Sequence, residues 1–140
     1  MTSRKHILVV ENNEDDAFLL RRTLRDLPFC TSFLCRSLSE ARAYLSRTGI
    51  YKDTENYPAP DAVITELRLG TDSGYELLIW MRENKNLRSI PVYVLAGAIS
   101  PHDRATLTGM GIKRVVEKPS GNEELKRLLT DLAREVCGSE

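Results

Sequence analysis

The sequence predicts a single three-layer α/β domain over residues 1–140, in which helices cover both faces of a five-stranded parallel sheet. Three observations support this fold class. Short apolar runs alternate five times with longer segments whose apolar residues recur at helical spacing. The 140 residues, 41% of them apolar, are enough for one domain with a substantial core. Regular alternation of this kind indicates βαβ units, whose right-handed crossovers make the strands parallel.

The first strand and helix are predicted around the segment HILVVENNEDD. HILVV (6–10) is a buried strand, and Asn12 or Asn13 is expected to cap the helix that follows. The acidic residues 14–16 suit the positive end of its dipole. The expected apolar stripe of this helix is Ala17, Leu20, Leu24 and Leu27.

The second unit is a strand at 29–35 followed by a helix. Ser37 and Glu40 have capping-box spacing, so this helix is expected to begin there and to continue through Leu45. Residues 47–60 are polar and contain one glycine and two prolines, which predicts a long loop.

The later elements follow the same pattern. Strands are predicted at 62–65, 91–98 and 114–119, with a proline at the start of the second, where a missing amide hydrogen costs least. A helix is expected at 74–84 and a shorter one from Ser100 to about 109–111. A further capping box, from Ser120 to Glu123, predicts the start of a last helix. Its apolar face is Leu125, Leu128, Leu129, Leu132 and Val136.

The charge balance argues against nucleic-acid and membrane partners. Lys plus Arg and Asp plus Glu both number 20, so no net field attracts the protein to polyanions. No apolar run approaches the roughly 20 residues of a membrane helix. The N-terminal apolar stretch is too short for a signal peptide. A cytoplasmic location is therefore expected.

The three cysteines are interpreted as small buried residues. Cys30, Cys35 and Cys137 form no CxxC pair, so neither a metal site nor a disulfide framework is expected. Cys30 and Cys35 are an odd number of residues apart on one strand and should face opposite sides of the sheet.

Polar side chains follow the predicted strands where parallel sheets bind ligands. Glu11 and Asn12 come after the first strand, Glu66 after the third, Ala96 in the fourth and Lys118 after the fifth. Carboxylates there can hold a divalent cation, and an ammonium can pair with a carboxylate or a phosphoryl group. The sequence therefore predicts a polar site at this edge.

These segments carry a family resemblance. In order and spacing, ILVVENNEDD, PDAVITELRLGTDSGYELL, IPVYVLAGA and VVEKP resemble a receiver domain of two-component phosphorelay signalling, the flavodoxin-like fold of bacterial response regulators. The resemblance implies a sheet with strand order 2-1-3-4-5. The long loop near Tyr51 is similar to that of the stand-alone subgroup that partners phytochrome-type kinases.

The family's chemistry implies five active positions, three of which are changed here. Receivers use an acidic pair for Mg²⁺, a phosphorylated Asp after the third strand, a Thr or Ser after the fourth and a Lys after the fifth. This sequence keeps Glu11 and Lys118. It has Asn12 for the second acid, Glu66 at the phosphoacceptor position and Ala96 at the hydroxyl position.

The changes weaken both metal binding and phosphoryl transfer. Because Asn12 removes an anionic oxygen, we expect a weak or absent Mg²⁺ site, with Glu11, Asn12, Glu66 and the backbone carbonyl of Arg68 as candidate ligands and no other cofactor. The extra methylene of Glu66 displaces its carboxylate, which can cost about 100-fold in rate. Val115 stands where many relatives carry a switching aromatic residue.

We hypothesise that Glu66 forms a permanent salt bridge with Lys118 and so partly mimics the phosphorylated state. Arg68 could also neutralise Glu66 from the loop. The plain alternative is that Glu66 is a tolerated polar residue in a decayed site.

The sequence is thus interpreted as a stand-alone degenerate receiver, not an enzyme, that acts through phosphorylation-independent protein–protein interaction. Its expected partners are a histidine kinase, a downstream effector or a second copy, since little sequence after Val136 remains for an output domain. One alternative is a phosphorylatable, Mg²⁺-dependent receiver with a non-standard acceptor. Another is a flavin- or nucleotide-binding protein of this topology, although ENNEDD would repel phosphate.

Two histidines and one apolar pair are further candidates for a functional role. His6 and His102 lack a second histidine at metal spacing, so packing or capping is expected. Ile79 should point away from the sheet, with Trp80 on the flank of the same helix, and exposed apolar pairs can mark a partner surface.

Overall fold

A computed structural model describes residues 4–138 of the chain and contains every predicted strand and helix. The strands are β1 (Lys5–Val10), β2 (Cys30–Cys35), β3 (Ala62–Thr65), β4 (Arg68–Leu69), β5 (Asp72–Ser73), β6 (Val92–Ala96) and β7 (Arg114–Glu117). The helices are α1 (Glu14–Arg25), α2 (Leu38–Ser46), α3 (Gly74–Glu83), α4 (Pro101–Gly109) and α5 (Asn122–Cys137). The long loop contains a 3₁₀ turn at Gly49–Lys52.

Five strands form one parallel sheet in the order β2-β1-β3-β6-β7, which confirms the predicted fold and strand order. Val10 pairs with Cys35 on one side and Thr65 on the other, and Thr65 pairs in turn with Val94. The register therefore brings the carboxyl ends of neighbouring strands to one edge. The direction of winding reverses between β1 and β3, and ligands of such sheets bind at that point.

Two apolar layers lie on the two faces of the sheet. One packs α1 and α5 against it, and its helical members are Leu20, Leu24, Leu125, Leu129 and Leu132. The other packs α2, α3 and α4, with Leu38, Tyr44, Leu77, Leu78 and Leu107. Cys30 belongs to the first layer and Cys35 to the second, so the prediction that they face opposite sides is confirmed.

Helix starts agree with local capping signals in two cases and differ in a third. Ser37 accepts a hydrogen bond from the Glu40 amide at 3.1 Å, as predicted, but the Glu40 carboxylate accepts from the Arg36 amide and does not complete the box. Ser100 and Asp103 form a reciprocal capping box that the sequence analysis missed. The predicted box at Ser120 is wrong, because α5 begins at Asn122 with Gly121 as its cap and without a side-chain cap bond. Ser120 lies one residue too early to reach the free amides.

A tight connection after β3, which the sequence analysis did not predict, leads into α3. β4 and β5 form a two-stranded hairpin, and the amide of Gly74 then donates to the Leu67 carbonyl at 2.7 Å. A Cβ atom on Gly74 would overlap the carbonyl oxygen of Glu66 and lie 2.9 Å from the Cα of Leu67. Only glycine therefore permits this close return of the chain behind Glu66.

The remaining expectations concern single side chains. His6 is buried, and its ring nitrogens lie 2.8 Å from the hydroxyls of Thr31 and Tyr44, so its role is packing. Ile79 is 49% exposed, as predicted, whereas Trp80 is half-buried beneath the guanidinium of Arg42. Within residues 4–138, no helix combines the length and apolar character needed to cross a bilayer.

Candidate functional site

Lys118 is the centre of an ion cluster at the carboxyl edge of the sheet. Its ammonium lies 2.6 Å from Glu11 Oε1 and 2.8 Å from Glu66 Oε1. These residues follow β7, β1 and β3 directly, so the parallel register is what brings them together. The structure thus contains the ion pair between Glu66 and Lys118 that the sequence suggested.

Asp16 is a fourth member that sequence reasoning missed. Its Oδ2 lies 2.8 Å from the Lys118 ammonium, and it sits in the first turn of α1. From the sequence, this acid was expected only to interact with the helix dipole. The usable signal was the position of Asp16 in the first turn of a helix that starts at the site. An ammonium has three hydrogens, and here each has a carboxylate acceptor.

Both oxygens of Glu66 have hydrogen-bond donors. Oε1 accepts from Lys118 and from the amide of Gly97 at 3.3 Å. Oε2 accepts from the amides of Leu67 at 2.6 Å and Arg68 at 3.4 Å. Glu66 is only 8% exposed, so these donors replace most of its contact with water. The carboxylate is consequently held in one place from both sides.

Asn12 and Arg68 do not join the cluster. The amide group of Asn12 donates to the Arg36 carbonyl at 3.2 Å, on the exposed rim. Arg68 contributes its backbone amide to Glu66, and among the described residues its guanidinium forms no ion pair. The expectation that Arg68 neutralises Glu66 through its charge is therefore wrong. Lys118 does so instead, because the end of β7 directs its ammonium inward.

Ala96 and Val115 lie where the family resemblance leads us to expect a hydroxyl residue and an aromatic residue. Ala96 is buried at the end of β6, and its carbonyl accepts from the Lys118 amide at 2.7 Å. Ala96 offers no hydroxyl, and the next residue, Gly97, approaches Glu66 through its backbone amide. Val115 is half-buried in β7, and its carbonyl accepts a hydrogen bond from Arg104 of α4.

The cluster is buried enough for its charges to depend on one another. Glu11 is 2% exposed, and burial raises its pKa above the ordinary 4.5, against the opposing effect of the hydrogen bond from Lys118. Burial alone would lower the pKa of Lys118, but its hydrogen bonds to Asp16, Glu11 and Glu66 outweigh that effect and raise the pKa above 10.5. The ammonium is thus fully charged at neutral pH, and this stabilisation is lost only in strongly alkaline solution.

The residues present do not fit a Mg²⁺ site in this arrangement. Mg²⁺ requires several oxygens free to surround it in near-octahedral geometry. The Lys118 ammonium fills the space between the three carboxylates, and Asn12 is turned toward Arg36. In the described part of the chain, no group of three acidic, histidine or cysteine side chains is placed to hold a metal ion.

Comparison with known proteins identifies a matching family and related regulators. The family model "Response regulator receiver domain" matches residues 7–130. The probable methanogenesis regulatory protein FilR2 of Methanothrix harundinacea is 29% identical over 126 residues, which cover 90% of this chain and 79% of FilR2. The response regulator Rcp1 of Synechocystis is 31% identical over 100 residues, which cover 71% of this chain and 66% of Rcp1.

Solved structures show the same fold. The phosphorylated cyanobacterial phytochrome response regulator RcpA superposes with a TM-score of 0.87 at 24% identity, covering 96% of this chain and 94% of RcpA. The Mn²⁺-bound form of Rcp1 superposes with a TM-score of 0.85 at 24% identity, covering 97% of this chain and 96% of Rcp1.

Proposed function

Because the chain belongs to the response regulator receiver domain family, we propose that it is a two-component signalling module whose phosphorylation switch has been replaced by a permanent ion cluster. It passes information by binding a protein partner, and its competence to bind does not depend on phosphate. Its partners are a histidine kinase, a downstream effector or a second copy of the chain, in the cytoplasm and without nucleic acid or membrane.

The observation that carries this proposal is the saturation of the Lys118 ammonium by Glu11, Asp16 and Glu66 at 2.6–2.8 Å. In a phosphorylated receiver, this lysine position is available to the phosphoryl group. Here the Glu66 carboxylate supplies the anion through the chain itself. The amine is therefore engaged at all times, as it would be in a phosphorylated relative.

Phosphoryl transfer to Glu66 is opposed by the same contacts. An attacking oxygen must approach phosphorus in line, yet both oxygens of Glu66 accept hydrogen bonds from fixed donors. Attack would require breaking these bonds in a site that is only 8% exposed. Ala96 supplies no hydroxyl for the transferred group, and the Lys118 ammonium competes with the divalent cation that family members bind.

The direct test is phosphorylation with a small donor. Wild-type protein is incubated with acetyl phosphate and Mg²⁺, and its intact mass is measured. We expect no adduct. The matched control is the triple variant Asn12→Asp, Glu66→Asp, Ala96→Thr, which restores the family's residues on the same scaffold and should acquire one phosphoryl group. A stoichiometric adduct on the wild type would overturn the proposal.

A second candidate function is a Mg²⁺-dependent receiver with a non-standard acceptor. It is favoured by one observation, the third carboxylate that Asp16 adds to the site. If Lys118 swings out, Glu11, Asp16 and Glu66 could share a cation. In this case the wild-type adduct would form only with Mg²⁺, and peptide mapping would place it on Glu66 or a neighbouring acid.

A further inference from the structure

The outward face of α1 carries an exposed phenylalanine between charges of opposite sign. Phe18 is 64% exposed, whereas the inward face of the same helix is buried through Leu20 and Leu24. The exposed charged residues of α1 are acidic in its first turn and basic in its second half: Glu14, Asp15, Arg21, Arg22 and Arg25. The face thus has an acidic end, a basic end and an aromatic side chain between them.

Helical spacing places four of these side chains on one stripe. Asp15, Phe18, Arg22 and Arg25 follow one another at intervals of three, four and three residues, which puts them on the same side of the helix. We call these four residues the α1 stripe. None of them belongs to the ion cluster around Lys118.

The charges of the α1 stripe have little use within the chain. Among residues 4–138, Asp15 and Arg22 take part in no ion pair. Arg25 lies 3.8 Å from Asp26, but both side chains are 70% exposed, so this pair contributes little stability. The stripe can therefore offer its charges and its aromatic ring to another molecule.

We propose that the α1 stripe is the contact surface of a homodimer, in which the α1 helices of two copies pack antiparallel about a two-fold axis. Asp15 of each copy then lies beside Arg22 and Arg25 of the other. Phe18 lies near the middle, against the Phe18 ring and the Arg22 guanidinium of the other copy. A two-fold contact uses the same surface on both copies, so it requires a surface that complements its own reversal.

The change of sign along α1 favours a second copy over other partners. A polyanion or an anionic membrane attracted by Arg22 and Arg25 would be repelled by Asp15 on the same stripe. Antiparallel contact between two copies satisfies both ends at once, whereas parallel contact would oppose like charges. This inference rests on the proposed function only in that a second copy is among the partners named there.

A contact of this size predicts a weak, salt-sensitive dimer. The 12 residues of α1 span about 18 Å, so one helix face per copy lies at the small end of protein–protein interfaces. Phe18 and Arg22 also line a groove of about 840 Å³ between α1 and α5, which leaves room beside the stripe for side chains of the second copy. We expect a Kd of about 10–100 µM at low salt. The Kd should rise about tenfold or more between about 20 mM and about 500 mM NaCl, because exposed charges hold both ends.

The test measures the mass of the whole chain in solution by sedimentation velocity. Over about 10–500 µM protein at low salt, the weight-average mass should rise from the monomer's 15.8 kDa toward twice that value. Phe18→Ala should weaken the association about tenfold or more. Ile50→Ala is the matched control and should leave it unchanged, because Ile50 is also 64% exposed but lies outside α1, in the turn Gly49–Lys52.

A charge exchange tests the antiparallel geometry. The acidic variant carries Arg22→Glu and Arg25→Glu, and the basic variant carries Glu14→Lys and Asp15→Lys. Each variant alone should stay monomeric, because the charges along its α1 face have one sign. An equimolar mixture should form a dimer with one copy of each. Circular dichroism checks that both variants are folded, and Phe18→Ala and the acidic variant decide the test if the basic variant is not.

Three results would overturn the proposal. The first is a wild type that stays monomeric throughout this range, which would leave the α1 stripe to a different protein. The second is a dimer that neither Phe18→Ala nor the acidic variant weakens, since that dimer would use another surface. The third is a mixture of folded acidic and basic variants that stays monomeric. None of these outcomes depends on the phosphorylation experiment.

Discussion

Replacement of Lys118 by methionine tests whether the ion cluster holds the fold together. Methionine retains an unbranched apolar stem, so the change removes the ammonium with little loss of packing. The carboxylates of Glu11 and Glu66, with side chains 2% and 9% exposed, then lose their shared counterion. Asp16, at 32% side-chain exposure, can turn to water and should contribute little.

Protonation of a carboxylate limits the loss of stability that Lys118→Met can cause. Breaking a buried ion pair by removing one partner costs about 3–5 kcal/mol. A stranded carboxylate can instead take up a proton, and for an ordinary pKa of 4.5 this costs about 3.4 kcal/mol at pH 7 but only about 0.7 kcal/mol at pH 5. We therefore expect Lys118→Met to lower the free energy of unfolding by about 3 kcal/mol at pH 7 and about 1 kcal/mol at pH 5.

The sign of this pH dependence follows from linkage. In the variant, the folded-state pKa of Glu11 is raised further above its unfolded value, so the folded form binds the extra proton more readily. Relative stability is therefore recovered as the pH falls toward 4.5 and is lost as it rises above that value.

The assay is urea unfolding of the wild type and the variant at both pH values. The matched control is Lys126→Met, which removes an exposed 3.5 Å pair with Glu123 and should change the free energy of unfolding by about 0.5 kcal/mol or less. The reasoning is refuted if Lys118→Met is no more destabilising than the control, or if its penalty at pH 5 equals that at pH 7.

Three further predictions concern other parts of the molecule. Glu66→Lys places two ammonium groups together in the buried site and should destabilise the protein more than Lys118→Met does, as measured in the same urea assay; unchanged stability would mean that the pair is dispensable. Gly74→Ala should lower the free energy of unfolding by about 2 kcal/mol or more, measured by thermal unfolding, because the new Cβ would overlap the chain behind Glu66. The control is Gly97→Ala, whose Cβ would meet no atom within 4 Å. Burial lowers the pKa of His6 in the folded state below 6.5, so the free energy of unfolding should fall as the pH decreases from 6.5 toward the folded-state pKa. His6→Asn should flatten this pH dependence, and parallel pH profiles of the variant and the wild type would contradict the prediction.

Much of the fold was predictable because its signals are local. Each strand is a short apolar run, and the helix that begins after Ser37 starts at a capping residue readable within four positions. One capping signal failed because the helix starts one residue later than its spacing predicts. Ser120 has the right spacing for a cap, yet Gly121 is the residue that lies at the helix start.

The candidate site was predictable in part for a different reason. In a parallel sheet, residues that follow each strand meet at one edge, so Glu11, Glu66 and Lys118 could be grouped from the order of the strands. The role of Asp16 could not be inferred in this way, since it depends on how α1 leaves that edge. Asn12 and Arg68 were grouped with them by position, but the Asn12 side chain donates to the Arg36 carbonyl and Arg68 reaches Glu66 through its backbone amide.

The amino-acid sequence alone determined the order of the elements, the apolar faces that pack them and the chemical groups available at the strand ends. It did so because periodicity and capping act over a few residues. Only the tertiary structure decided which groups touch. Lys118 and Glu11 are 107 positions apart, and Lys118 and Glu66 are 52 positions apart. Contacts at such separations depend on sheet register and helix packing, and these are properties of the whole folded chain.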